Sequence, residues 1–312
     1  MPDSIDQRKL SRLILEAEGL TPCPVVLAKV AQLSNDSGSN ARDLGKIIAM
    51  DEALAAQLIK QVNSAYYGLR GTISTVTQAV VILGYQEIRH IIYAVQTAQL
   101  FRENAACPGV DILALWDHSL QVAALAREFS YQNRHPVPEE VFVAGVIHDM
   151  GQVLMGRLLG DRYRRCQAKV RADSADLAAA EQAAFGISHA EIGWQVTNRW
   201  NFPPSLQAAV RSHHDLAVDC SDANPGVVPM VLAANLACHK LKQGCSSEGI
   251  LQVIPEQVRE ALRLNLVMLE EAMSAAASEH QRLRSSFDIA SNGEDDDNGI
   301  GPGRPGVREG GR

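Results

Sequence analysis

Five histidines and one aspartate supply the residue types from which metal-assisted hydrolysis is built. They are His118 in LWDHSL, His148 and Asp149 in VIHDMG, His189 in ISHAEIG, and the pair His213 and His214 in VRSHHDLA. Imidazole and carboxylate together form the ligand set of first-row divalent metals. An adjacent His and Asp at a helix end can both reach one ion, which a His from another helix then completes. Such a site leaves a position for water or a phosphate oxygen, the requirement of a metal-dependent phosphohydrolase. Each residue also has a plainer reading. His118 stands among Leu115, Trp116, Leu120 and Val122, the surroundings of a hydrogen-bonded core histidine, and an HD dipeptide alone specifies little. The order carries the weight: a His, then HD after a buried helix, then a His at a helix start, then a HH pair at a helix end. The remaining His90, His135, His239 and His280 stay outside the set, and His90 has no metal-ligating neighbour in sequence.

Helices must position these groups. Period-two alternation is almost absent, whereas apolar residues recur at i, i+3, i+4 and i+7, so the chain reads as all-α. The spacing predicts helices over 6–18, 24–35, 41–49, 52–64, 75–83, 85–102, 112–130, 138–149, 152–157, 160–171, 175–184, 189–200, 204–213, 228–241 and 255–281. Ser188 with Glu191 three residues on is a capping box, which puts His189 in a first turn. Asp51 is placed to cap the next helix, and Pro203 with Pro204 separates two more. In VNSAYYGLRG, Tyr66 and Tyr67 read as packing residues of a turn in which Gly68 permits a positive backbone angle.

Composition bounds the function. The chain has 312 residues, of which 46% are hydrophobic, ample for a buried core. A net charge of −7 offers no basic surplus to neutralise phosphates along a nucleic acid. Six cysteines without a CxxC pair suit reduced thiols in the cytoplasm. No apolar run has the length of a membrane helix. From about Ser285 the sequence becomes rich in Gly, Asp and Pro, including GEDDD, and predicts a disordered, solvated tail.

The six residues, taken with TPCPVVLAKVAQLSND, VNSAYYG, ISTVTQAVVILGYQEIRHIIYA, AGVIHDMGQVL, the stretch from Glu181 to His189 in EQAAFGISHAEIG, and NRWNFPPSLQAAVRSHH, resemble an HDOD domain. This is the HD-related output domain of bacterial signalling proteins. The likeness runs from about Thr21 to His214 and more weakly through the helix containing Asn235. It implies two packed helical parts, 21–102 and 112–215, within a domain spanning 21–215. A helix within 1–20 precedes it, helices over 216–284 follow it, and 285–312 form the tail. The second part is similar to HD and HD-GYP phosphohydrolases, and the six residues fall on their metal-ligand motifs. HDOD domains are regarded as non-catalytic regulatory relatives.

Three departures from the hydrolase pattern sharpen that implication. HDMGQ places neutral Gln152 where HD-GYP enzymes have a phosphate-contacting lysine. No GYP tripeptide follows the HH pair. Asn235 stands where a late aspartate completes the HD metal site, and losing a carboxylate weakens any site for a hard cation. The expectation is therefore a cytoplasmic bacterial signalling module that binds signalling or regulatory proteins and neither nucleic acid nor membrane. Its degenerate HD site holds a divalent ion (Fe, Mn, Zn or Mg) or a nucleotide-like ligand without a catalytic residue. The rival is a metal-dependent phosphohydrolase of nucleotides or cyclic nucleotides using the same six ligands.

Overall fold

The computed structural model describes residue 29 and residues 41–48, 51–64, 67–104, 106–173, 176–220 and 226–287. Every regular element among them is an α-helix. The helices expected over 6–18 and 24–35, Tyr66, and the GEDDD segment lie outside the described residues.

Four helices build an N-terminal part: α1 (Ala41–Ile48), α2 (Glu52–Val62), α3 (Val76–Leu83) and α4 (Tyr85–Glu103). Asp51 caps α2, accepting from Leu54 N at 2.9 Å. The turn after α2 is pinned by Asn63, whose amide pairs with both Ile73 N and Ile73 O at 2.7 Å. Gly68 takes φ +56°, as the turn reading requires.

The His-bearing part follows as α5 (Ile112–Gln132), α6 (Pro138–Ile147), α7 (Met150–Leu159), α8 (Asp161–Asp173), α9 (Leu177–Phe185), α10 (His189–Arg199), α11 (Pro204–Ser212) and α12 (Val227–Lys242). Capped by Asp111, which accepts from Ala114 N at 3.0 Å, α5 is buried along most of its length and packs against α6, α12 and a final helix. Contacts of α4 with α5 and with α6 join the two parts.

Two predicted helices are corrected. The segment 138–149 ends early, because α6 stops at Ile147 and α7 starts at Met150, leaving His148 and Asp149 in the break. Gly151 explains the tight restart: a Cβ there would stand 1.9 Å from His189 O, so only glycine lets α7 press onto the first turn of α10. The single helix over 255–281 is instead α14 (Glu256–Ala261) and α15 (Leu266–Ser286), preceded by an unanticipated α13 (Ser247–Val253). Arg263 at φ +50° breaks the run, and Asn265 caps α15 by accepting from Met268 N at 3.0 Å. The apolar pattern continues through both breaks and hides them.

Helix α15 straps the molecule. Its Glu279 pairs with the buried Arg127 of α5, which also binds Glu139 at 2.8 Å and lies 4.7 Å from the Phe142 ring. His280 and Arg284 meet Asp117 at 2.9 and 3.2 Å, and Ser286 hydrogen-bonds Ser64 behind α2 at 3.2 Å. The tail boundary at 285 therefore falls too early. Helix α15 runs through Ser286, and buried Phe287 accepts from Trp116 Nε1 at 3.1 Å; from residue 288 the chain lies outside the described residues.

Removing Arg127 deprives the buried Glu279, and Glu139 with it, of their shared guanidinium. Arg127→Ala should therefore lower stability by about 3–5 kcal/mol, read from the urea midpoint; an unchanged midpoint would contradict this. Burial and the Glu139 charge lift Glu87 to about 7, against a Tyr67 hydrogen bond and Arg127, which lower it. The fold then holds a proton that the unfolded chain releases near its ordinary value of 4.5. Stability should accordingly decline as pH rises from about 4.5 to 7, and Glu87→Gln should flatten that slope in melting temperatures taken across the interval.

Candidate metal centre

Helix ends converge on one point. His118 comes from the buried face of α5, His148 and Asp149 from the break between α6 and α7, His189 from the first turn of α10, and His213 and His214 from the end of α11. Ser188 accepts from Glu191 N at 3.3 Å, as a cap should. The return half of the capping box is absent from the described hydrogen bonds: Glu191 pairs with Arg211 at 3.5 Å. Gly193 lets α10 sit against α11, since a Cβ there would approach Val210 to 2.8 Å.

All six predicted residues come together around Asp149, which is 2% exposed. Its Oδ1 lies 3.2 Å from His189 Nε2 and 3.4 Å from His213 Nε2. Its Oδ2 lies 3.3 Å from His148 Nε2 and 3.7 Å from His118 Nε2. His189 Nε2 is also 3.2 Å from His213 Nε2 and 3.0 Å from His214 Nε2. The cluster thus has two overlapping halves, Asp149 with His189, His213 and His214, and Asp149 with His118 and His148.

Ring orientation fits an ion. His148 Nδ1 donates to Gly145 O at 2.7 Å and His213 Nδ1 to Val210 O at 2.8 Å. Carbonyls only accept, so each Nδ1 carries the proton and each Nε2 turns a lone pair toward Asp149. His148 Nε2 and Asp149 Oδ1 are buried without a hydrogen-bond partner. An ion bound tetrahedrally at roughly 2.0–2.1 Å spaces its ligand atoms about 3.3 Å apart, close to the separations in the half containing His189, His213 and His214.

The electrostatics agree. Burial would raise Asp149, but His148, His189 and His213 outweigh it and hold the carboxyl well below the usual range. Burial lowers His213 to about 4 and pushes His214 and His118 down as well, so these rings are neutral ligands at neutral pH. His189 differs. Burial lowers it, yet Glu181 and Asp149 raise it to about 10, so the site favours one positive charge there. An ion held at Nε2 would supply that charge in the proton's place.

The half containing His118 is weaker. His118 Nε2 lies 3.0 Å from Asn235 Oδ1 of α12, and the amide occupies that nitrogen where a carboxylate would have been a further ligand. The likeness of this helix to the HD pattern, weak in sequence, thus gains a contact.

Two site residues escaped the sequence reading. Glu181, fully buried, binds His189 Nδ1 at 2.6 Å, His189 N at 2.7 Å and Tyr163 Oη at 2.6 Å. The sequence offered it only as the start of the stretch that ends at His189, and Gly186 folds the chain back between the two. His239 stacks on His118 at 4.6 Å between ring centroids. Its position four residues after Asn235, on the same helix face, was the available signal. A cavity of about 500 Å³ opens beside His189, His214 and Asn235, and Gln152 lines it as a neutral group.

Because Glu181 fixes the His189 ring and raises its basicity, Glu181→Gln should weaken affinity for Zn or Mn about 10–100-fold with the fold retained. Isothermal titration with each metal measures this, and unchanged affinity would contradict the assignment.

Comparison with known proteins places this geometry. Residues 20–216 match the HDOD domain family. An HDOD domain protein of unknown function from Geobacter sulfurreducens is 24% identical, with 90% of this chain and 99% of that chain covered and a TM-score of 0.73. A Shewanella amazonensis protein provisionally named a phosphohydrolase is 22% identical, with 88% and 97% covered and a TM-score of 0.67. A Marinobacter aquaeolei protein provisionally named for signal transduction is 17% identical, with 93% and 67% covered and a TM-score of 0.69. These likenesses establish the fold. The chain spans 49% of the length of the curated relative it matches, an uncharacterised protein of Treponema pallidum at 21% identity. No helix among the described residues is long and apolar enough to cross a membrane. With the matched residues covering more than half of its length, the chain belongs to the HDOD domain family.

Proposed function

We propose that this protein is a non-hydrolytic signalling module that holds one divalent ion on Asp149, His189, His213 and His214 and acts on other signalling or regulatory proteins. One observation carries the reading: the imidazoles and Asp149 Oδ1 of that half converge at ligand spacing, with the His148, His189 and His213 rings oriented by Gly145, Glu181 and Val210. Three imidazoles to one carboxylate favour Fe or Zn over Mg. The signalling role draws on the family's character as an output domain and on the name of the Marinobacter aquaeolei neighbour.

When bound, such an ion polarises a ligand oxygen. The chain's own residues do the rest. Asp149 and the imidazoles hold the ion, Glu181 fixes one ring, and Gln152 and Asn235 present neutral amides to the ligand space. Gln152 cannot supply the charge by which a lysine stabilises a phosphoryl transition state. Changes at Asn235 or His118 reach α15 through α5, against which both α12 and α15 pack. The rival reading, a phosphohydrolase, is favoured by the anionic Asp149 set between the two histidine groups.

Protein purified without chelator, with its metal quantified, should release no phosphate from a panel of nucleotides and cyclic dinucleotides. Turnover that Asp149→Ala abolishes would overturn the non-hydrolytic reading in favour of its rival.

A further inference from the structure

The cavity beside the metal centre has a charge at odds with the rest of the chain. The protein carries −7 overall, yet this cavity is lined by Arg171 from the last turn of α8 and Lys240 from the last turn of α12. Neither forms an ion pair among the described residues, and Lys240 Nζ only donates to Gln243 Oε1 at 3.0 Å. The carboxylate on the same wall, Asp176, is already engaged as the cap of α9, accepting from Ala179 N at 2.7 Å. Its charge there is offset by the positive end of that helix. Together with an ion, the lining presents an excess of positive charge in a concave, partly enclosed space, where electrostatic attraction is strong.

The remaining walls are those of a small-molecule site. Val170, Leu177 and Leu236 supply apolar surface, and Gln152, Gln167 and Gln243 supply amides able both to donate and to accept. The volume of about 500 Å³ lies in the range of small-ligand sites, roughly 300–1,000 Å³. We infer that this cavity binds a phosphate monoester of mononucleotide size, with Arg171 and Lys240 holding the phosphate and Gln152 offering only a neutral amide. The inference rests on the metal reading above for the inner end of the site. It adds a ligand class and two anchoring residues, Arg171 and Lys240, from helices that carry none of the five histidines of the predicted set. Lys240 lies beyond the residues that match the family.

Full-length protein, with metal quantified in every sample, is titrated calorimetrically with inorganic phosphate, AMP and GMP at low and high salt. AMP or GMP should bind more tightly than phosphate and more weakly at high salt. Arg171→Gln and Lys240→Gln should each reduce nucleotide affinity about tenfold with metal content unchanged. Both side chains sit at the cavity surface, and a thermal melt verifies that each variant folds. Metal-containing protein that binds none of the three probes, or variants that bind as wild type, would overturn the inference and leave the metal reading standing. Metal-free protein whose nucleotide binding still falls in both variants would support the cradle and overturn the metal reading.

Discussion

The buried carboxylate of Asp149 constrains the whole His-bearing part. An unpaired carboxylate removed from water is strongly unfavourable, so this one persists only where imidazoles from several elements surround it. Each must arrive with a defined ring orientation, and helix ends provide it. His148 and His213 occupy the positions just after α6 and α11, and each donates Nδ1 to the carbonyl three residues back, Gly145 O and Val210 O. Carbonyls that a helix end leaves unsatisfied thus become the orienting partners of the imidazoles that face Asp149. Gly151 and Gly193 follow from the same constraint, because the backbones that bring these ends together approach too closely for a side chain.

That convergence ties the site to the rest of the molecule. Helix α5 carries His118 toward Asp149 and Asn235, and on the same helix Trp116, Asp117 and Arg127 engage α15. Helix α15 in turn touches Ser64 in the N-terminal part. A ligand that altered the packing of α5 against α12 would therefore be felt at a helix that bridges both parts. Such packed, hydrogen-bonded contacts are the physical means by which a binding event can be transmitted without catalysis.

Much of this was legible in the sequence because it rests on local rules. Apolar spacing placed the central helices, Asp51 and Ser188 announced their caps, and the ordered histidines with Asp149 marked the cluster. The misses have physical causes. A continuous apolar pattern concealed the breaks at Arg263 and before Asn265, since periodicity reports a buried face and not a chain reversal. The HD doublet was read as the last two residues of a helix because nothing local signals that Gly151 must meet His189. Glu181 escaped because a buried glutamate is defined by its partners, His189 and Tyr163, and those are known only once the chain has folded back at Gly186. His239 was left outside the set, although its i+4 spacing from Asn235 already placed the two on one face.

The central claim is that Asp149 and the three imidazoles of His189, His213 and His214 hold a single ion, while the amide of Asn235 disables the other half. Metal per chain, measured on protein purified without chelator together with His118→Ala and His214→Ala, tests this most directly. The account predicts about one ion per chain, retained in His118→Ala and lost in His214→Ala. Two ions per chain, or an ion lost with His118 and kept without His214, would contradict it.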